Sequence, residues 1–399
     1  MFIKLKVRGS VEGHPVKPTA LPAGAIPPAP SRRLPDIDFW RGLILCCIFI
    51  NHIPGNIFER LTPKNYGLSD SAEAFVFLSG VSLALAYWTR FTDGRAGQVL
   101  QALQVRVVKL YGIHLFLTVA AIAIFAAGAT LGGDDELMNV HGRALFTDDP
   151  TAALLGLVSL GHQIGYFNIL PLYIVLIAML VAQLAIARAW GLWAMLGASA
   201  AAYGAARLSG LDIPTWPMKG AWFFNPLAWQ LLMAIGVAAA MFYRQSRITV
   251  RPAWLALSGL VAAAGLVSVT DGFSLLPGLY DWTRGWADLD KTSLGLGRLV
   301  HFIAVAYLLY GLGVAARVRT AAAYEMVSRL GRNSLTVFAL LSLLAAVGQV
   351  VEDLAGHTAG LDLLLVGGGL AILYGAATLA EAWPRPVAIT RARLGAGQR

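Results

Sequence analysis

The chain has 399 residues, 57% of them hydrophobic and only 13% charged, with a formal net charge of +9. A soluble domain carries roughly 25% charged residues, so the composition excludes a soluble globular protein and predicts an all-α polytopic integral membrane protein. The two cysteines, Cys46 and Cys47, are adjacent, which excludes a disulfide between distant segments and offers no metal-ligand spacing.

Residues 1–36 read as a flexible Pro/Ala/Gly-rich cytoplasmic tail without a core of its own. No secretory signal is expected, because the first apolar run starts only near Phe39. One membrane domain then fills 37–383, and 384–399 form a basic cytoplasmic tail. Ten spans of membrane length are expected. They lie at about 38–54, 72–90, 107–131, 168–187, 189–207, 226–243, 252–270, 299–316, 334–351 and 361–380. Residues 151–187 are apolar for too long to form one span. They divide into a short helix at 151–161, a polar bend from His162 to Asn168, and the fourth span, with Pro171 near its start.

The first span carries Arg41 and His52, eleven positions apart. Eleven helical steps of about 100° return almost to the starting direction, ~16 Å further along the axis. Both side chains therefore look the same way, at different membrane depths. An ionisable pair on one face of a membrane helix is costly and usually faces the protein interior or a wet cavity. The plainer reading makes Arg41 an interfacial anchor and His52 a satisfied polar group.

Asp70-x-x-Glu73, ahead of the second span, fits a capping box. It also offers two carboxylates near His52, able to orient an imidazole or a polar acceptor. Arg106-Val-Val-Lys109 opens the third span, as ordinary anchoring or as a phosphate clamp combining a forked guanidinium with a point charge. His114, further along that span, reads as a buried, hydrogen-bonded structural histidine. Asn225 and Gln230 flank the start of the sixth span, where Pro226 suits a first-turn position. Trp216, Trp222, Trp229, Trp282 and Trp286 form either an aromatic belt or a stacking platform for sugar rings. Arg298 and His301, one turn apart, share a face of the eighth span and would receive an anionic acyl group or a glycan. Lys291 before them reads as loop. Gly331, Asn333 and Ser334 read as a break followed by a helix cap, where terminal amides beside Arg332 would also suit a phosphate. No metal site is expected, since no span holds a His-x-x-x-His pair or a carboxylate-rich triplet.

Basic residues set the orientation. With the N-terminus cytoplasmic, 23 of the 31 Lys and Arg fall inside and 16 of the 22 acidic residues fall outside. The chain is therefore expected to be N-in and C-in. The net charge is then a positive-inside signature, and nucleic acid is not expected as a partner. Arg41 lies at the cytoplasmic mouth, and His52 lies in the outer half of the membrane.

The motifs together resemble a family. Arg41-x10-His52, with the approach Asp38–Gly42, is similar to the Arg-x10-His motif of the membrane-bound acyltransferase-3 superfamily. Phe75-Val-Phe-Leu-Ser-Gly80 resembles that superfamily's second-helix Phe-Phe-x-x-Ser-Gly signature, and Leu330-Gly-Arg-Asn-Ser334 its late Leu-Gly-x-x-Ser element. Ser69–Gly80, Tyr166–Tyr173 and Phe224–Gln230 look like the OpgC branch in particular. The resemblance covers about 36–380. It implies transfer of acyl groups from cytoplasmic acyl-CoA to extracytoplasmic carbohydrate hydroxyls, and OpgC proteins are linked to succinylation of osmoregulated periplasmic glucans. The donor implied is acyl-CoA, succinyl-CoA in that branch. This sequence lacks a fused extracytoplasmic hydrolase-like domain, so the membrane unit would act alone.

The expected function is thus a multi-pass inner-membrane O-acyltransferase acting on a glycan such as periplasmic glucan. His52 would be the general base on the acceptor hydroxyl, or would carry the acyl group transiently. Arg41, Arg106 and Lys109 would hold the CoA phosphates. Asp70 and Glu73 would orient His52 or the acceptor, and Asn225, Gln230, Arg298 and His301 would bind substrate. A secondary transporter or flippase of an anionic metabolite would use Arg41 and His52 as substrate and proton sites. A non-catalytic scaffold for envelope-glycan assembly would tolerate loss of His52.

Overall fold

The computed structural model describes residues 34–133 and 135–383. The expected basic tail 384–399 lies outside the described residues, as does the N-terminal tail up to Arg33. Pro35 and Asp36 already belong to the first helix.

Ten long helices occupy the ten expected segments. They are α1 (Pro35–Asn51), α2 (Ser71–Thr92), α3 (Ala96–Gly132), α4 (Ile169–Trp190) and α5 (Leu192–Ser209). After these come α6 (Pro226–Arg244), α7 (Pro252–Val269), α8 (Leu296–Gly311), α9 (Ser334–Ala355) and α10 (Ala359–Ala382). The described residues form no strand. Seven helices, α2, α3, α4, α6, α7, α9 and α10, are long and apolar enough to cross a membrane. The other three, α1, α5 and α8, have 17, 18 and 16 residues.

The boundaries follow from local chemistry. Proline stands in the first turn of α1, α6 and α7, where its missing N–H leaves nothing unpaired. Asp36 and Asp38 in the first turn of α1 suit the positive end of the helix dipole. The chain turns out of α1 through Pro54 and Gly55, whose φ of +90° suits a residue without a side chain. The capping box at α2 forms in full: the Asp70 carboxylate accepts from Ala72 N–H at 2.8 Å, and Glu73 accepts from Asp70 N–H at 3.0 Å. The long fourth stretch divides as expected into a short helix Pro150–Val158, a bend, and α4. Pro171 sits in the first turn of α4, where it breaks no internal hydrogen bond.

Two boundaries differ from expectation. α3 begins at Ala96 and runs 37 residues, so Arg106 and Lys109 lie well inside it rather than at its start. Residues 96–106 are good helix formers, and their Val99 and Leu103 are buried. At 331–334 the break forms, between a helix Ala322–Arg332 and α9. Asn333 does not cap α9 with its side chain. Its amide donates instead to the Arg329 carbonyl at 3.0 Å and to Glu381 at 3.1 Å. Arg332 is paired with Glu325 at 2.6 Å and Glu381 at 2.8 Å, so its charge is matched by carboxylates.

Small residues bring backbones into contact, as is common between membrane helices. A side chain at Gly80 of α2 would strike the Met233 carbonyl of α6, and one at Gly236 of α6 would strike the Phe77 carbonyl of α2. Gly42 of α1 and Gly331 of helix Ala322–Arg332 meet in the same reciprocal way, through Val327 and Asp38. α6 is the most enclosed helix, with Trp229, Leu232, Met233 and Val237 fully buried. The aromatic belt is only partial. Trp216, Trp282 and Trp286 are exposed, whereas Trp222 and Trp229 are buried.

Inter-segment contacts define the two ends of the bundle. At one end meet His52 and Tyr166, Lys291 and Asp70, and Ile57 and Asp362. At the other meet Arg244 and Thr89, Arg188 and Phe91, Arg319 and Asp36, and Arg332 and Glu381. Successive long helices alternate between these ends.

Candidate functional site

α1 carries the two most telling side chains. Arg41 donates to the Ser82 hydroxyl of α2 and stands 3.5 Å from the Gly331 carbonyl and 3.8 Å from Asp38. Its guanidinium is therefore turned into the protein, between α2 and helix Ala322–Arg332. His52 is the residue on which α1 ends, its N–H bonded to the Ile48 carbonyl at 3.0 Å. Its ring packs on Tyr166, with centroids 4.6 Å apart, and Tyr166 packs in turn on His141.

A second set of contacts fixes the backbone of His52. Gln349 of α9 donates to the His52 carbonyl at 2.7 Å, and its own carbonyl accepts from Arg143 at 3.2 Å. Arg143 also donates to the Leu137 carbonyl at 2.6 Å and lies 3.5 Å from the centre of the Phe125 ring. Burial lowers the Arg143 pKa to about 10, which still leaves it charged at neutral pH. Burial, with Arg143 nearby, also holds His141 below the ordinary imidazole range.

Across from His52 lies a four-membered ion network. Lys291 reaches Asp70 at 2.6 Å, and Arg298 bridges Asp70 at 3.2 Å and the fully buried Glu73 at 2.6 Å. Trp229 holds the Lys291 loop, donating to the carbonyls of Lys291 and Thr292 at 3.1 Å each. Burial pushes the Asp70 carboxyl upward, but Lys291 and Arg298 prevail and hold it well below the usual carboxylate range. The charges of Lys291 and Asp70 both reach His52. Asp70 and Glu73 make no hydrogen bond to His52 among the described residues. The reach of Asp70 toward it is electrostatic.

The other expected site residues are distributed as follows. Arg106 donates to the Tyr173 hydroxyl at 3.0 Å, and Tyr173 packs on Phe75, which packs on Phe338. Arg106 thus points into the bundle. Lys109 instead lines an apolar cavity of about 410 Å³ between α3 and α9, with Ile113, Leu117, Thr336 and Leu340. The two cations, one turn apart on α3, make different contacts. His301 is buried, with Nδ1 2.8 Å from the Ser69 hydroxyl and Nε2 without a partner among the described residues. It sits beside the ion network rather than in it. Asn225 caps α6 and donates to the Leu211 carbonyl at 2.8 Å. Gln230 donates to the Ser199 carbonyl at 2.7 Å and accepts from Gln183 at 2.8 Å. Both are buried, Asn225 bound to the α5–α6 loop and Gln230 to α4 and α5. His114 is fully buried, as expected, but neither ring nitrogen has a partner among the described residues.

Tyr166, Gln349, Arg143 and Lys291 were not singled out by their sequence setting. Tyr166 lies inside a motif noted for its resemblance. Gln349 is the lone amide of an apolar helix, and Arg143 is the sole cation between α3 and α4. Either oddity is a usable signal. A further group, Glu352, His357 and Asp362, gathers where α9 ends and α10 begins. It is spread over a helix end, a turn and a new helix, so no periodic spacing announces it.

The family model described as OpgC protein matches residues 33–385. No curated protein and no solved structure matches this chain significantly. The match covers nearly all of the helical bundle, including Arg41, His52 and the ion network, and the chain belongs to the OpgC family of membrane proteins.

Proposed function

We propose that this protein is an O-acyltransferase of the inner membrane. It would move an acyl group, succinyl by the family's association, from cytoplasmic acyl-CoA to hydroxyls of an extracytoplasmic glycan such as periplasmic glucan. The observation that carries the reading is the placement of Arg41 and His52 on one helix, both turned toward other protein segments, ~16 Å apart along its axis. The Arg41 end of the bundle also collects Arg188, Arg244, Arg319 and Arg332, which supports its assignment to the cytoplasm.

In this reading the CoA phosphates rest near Arg41 and Arg106, and Lys109 contributes from the neighbouring face. The thioester extends toward His52. The imidazole takes the proton of the acceptor hydroxyl as its oxygen attacks the thioester carbonyl. The carbon–sulfur bond then breaks, and the imidazolium returns its proton to the CoA sulfur. Tyr166 and the Gln349–Arg143 relay hold the base in place, and a positioned base contributes about 10²–10⁴-fold. The negative charge of Asp70 suits the transient imidazolium. Arg298 and His301 supply the neighbouring acceptor wall. Asn225 and Gln230 serve by fixing the start of α6.

Mass spectrometry of envelope glycans tests the reading. Cells with the protein should carry acyl-substituted glycan, and cells without it, or with His52→Ala, should carry only the unsubstituted form. Identical glycans in all three would contradict it.

A further inference from the structure

Glu352 lies on the last turn of α9, His357 in the turn that follows, and Asp362 in the first turn of α10. One ligand atom from each comes within 4.8 Å of the others. Glu352 and Asp362 are 4% and 2% exposed. Glu352 Oε1 and Asp362 Oδ1 are both buried with no hydrogen-bond partner among the described residues. The other Asp362 oxygen accepts from Ile57 N–H at 2.8 Å, so that side chain is aimed and fixed. His357 Nδ1 stands 3.8 Å from Glu352 Oε1, too far for a hydrogen bond. Its side chain is half exposed and leaves an approach from solvent.

Two buried carboxylates facing each other need a cation or a shared proton, because unpaired buried charge is strongly disfavoured. Hydrogen bonds elsewhere do not meet the need here, since one oxygen of each is unpartnered. The imidazole decides between the two. It adds a nitrogen donor at the same point, and its exposed side leaves coordination positions for water. A His-plus-two-carboxylate set suits a first-row divalent ion such as Zn²⁺ or Mn²⁺ better than Ca²⁺, which prefers oxygen ligands throughout.

We propose that Glu352, His357 and Asp362 bind one divalent transition-metal ion. The ion clamps the end of α9 to the start of α10, and through Asp362 and Ile57 to the loop that follows His52. Gln349, which holds the His52 carbonyl, lies one turn before Glu352 on α9. The site is therefore a brace beside His52, with no ligand in common with it.

The full-length protein, purified in detergent and stripped with chelator, would be titrated with Zn²⁺ and with Mn²⁺. Binding would be read by calorimetry and by Mn²⁺ electron paramagnetic resonance, and folding by thermal melting. One ion per chain should bind and raise the melting temperature. His357→Ala changes an exposed side chain and should fold normally, yet should weaken binding at least tenfold and remove the thermal shift. The double variant Glu352→Gln/Asp362→Asn should bind no metal while melting no lower than the stripped parent, because it removes the facing charges. The proposal is overturned if the parent binds neither ion, which would leave a shared proton as the counter-charge. It is equally overturned if His357→Ala and the double variant bind as tightly as the parent, which would place the metal elsewhere.

Discussion

At the scale of single residues, the division of labour along α1 gives the sharpest expectations. Arg41→Ala should weaken acyl-CoA binding by about 1.5–3 kcal/mol, the worth of a charge-assisted contact. Arg41→Lys should restore only part of it, because a point charge cannot replace a forked donor. His52→Ala should leave binding nearly intact and reduce turnover about 10²–10⁴-fold. Binding by calorimetry and turnover by product release, on variants checked for folding, separate the two roles. Asp70 gives a pH expectation. Its carboxyl is depressed in the folded protein by Lys291 and Arg298 against the effect of burial. That contribution is fully present above the unfolded carboxylate value of ~3.9 and is lost as the pH falls toward the folded value. Melting temperature should therefore drop from pH 6 to pH 3, and Lys291→Met should lower the pH 6 value while flattening the drop. The inward turn of Arg41 and His52 agrees with their spacing, because helical geometry fixes which way the side chains look. The partners of Asp70 were not. Lys291 and Arg298 lie more than 200 positions away, and the packing of α8 against α2, with Trp229 holding the Lys291 loop, brings them there.

At the scale of helices, the crossing of α2 and α6 depends on two glycines. Each leaves room for a carbonyl of the other helix. Gly80→Ala or Gly236→Ala should each cost about 1–3 kcal/mol or more, as overpacking does. Gly197→Ala, at a position with open space around it, should cost little, and detergent melting curves of the three variants test the contrast. The ends of α2 and α6 were readable because caps are local: Asp70, Glu73, Asn225 and Pro226 act within three residues of their own positions. α3 starts eleven residues before the expected span, because hydropathy marks only the apolar stretch. The amphipathic turns before it are held by Val99 and Leu103 packing into the core. Asn333 misled for a related reason. Its amide was claimed by Glu381, 48 positions away, and no local pattern shows that competition.

At the scale of the whole molecule, the alternation of the described helices puts the start of α1 and the end of α10 at the same end of the bundle. Reporter fusions after Gly132 and Gly272 should report the extracytoplasmic side, and one near Arg247 the cytoplasmic side. Reversed reporters would place His52 at the wrong face for a glycan acceptor. Composition made the helical membrane class legible, because the bilayer imposes it on every span. The convergence of Tyr166, Arg143, Gln349 and the Lys291 loop on the His52 end was not legible, since it depends on how five segments meet. The central claim is covalent transfer. The most direct measurement gives the purified protein labelled succinyl-CoA and a periplasmic glucan in detergent, where no gradient exists, and follows label into the glucan. Label should appear in the glucan with the parent protein and fall at least a hundredfold with folded His52→Ala. No labelled glucan with the parent, together with gradient-driven uptake of an anion into vesicles, would contradict the account and make the protein a transporter.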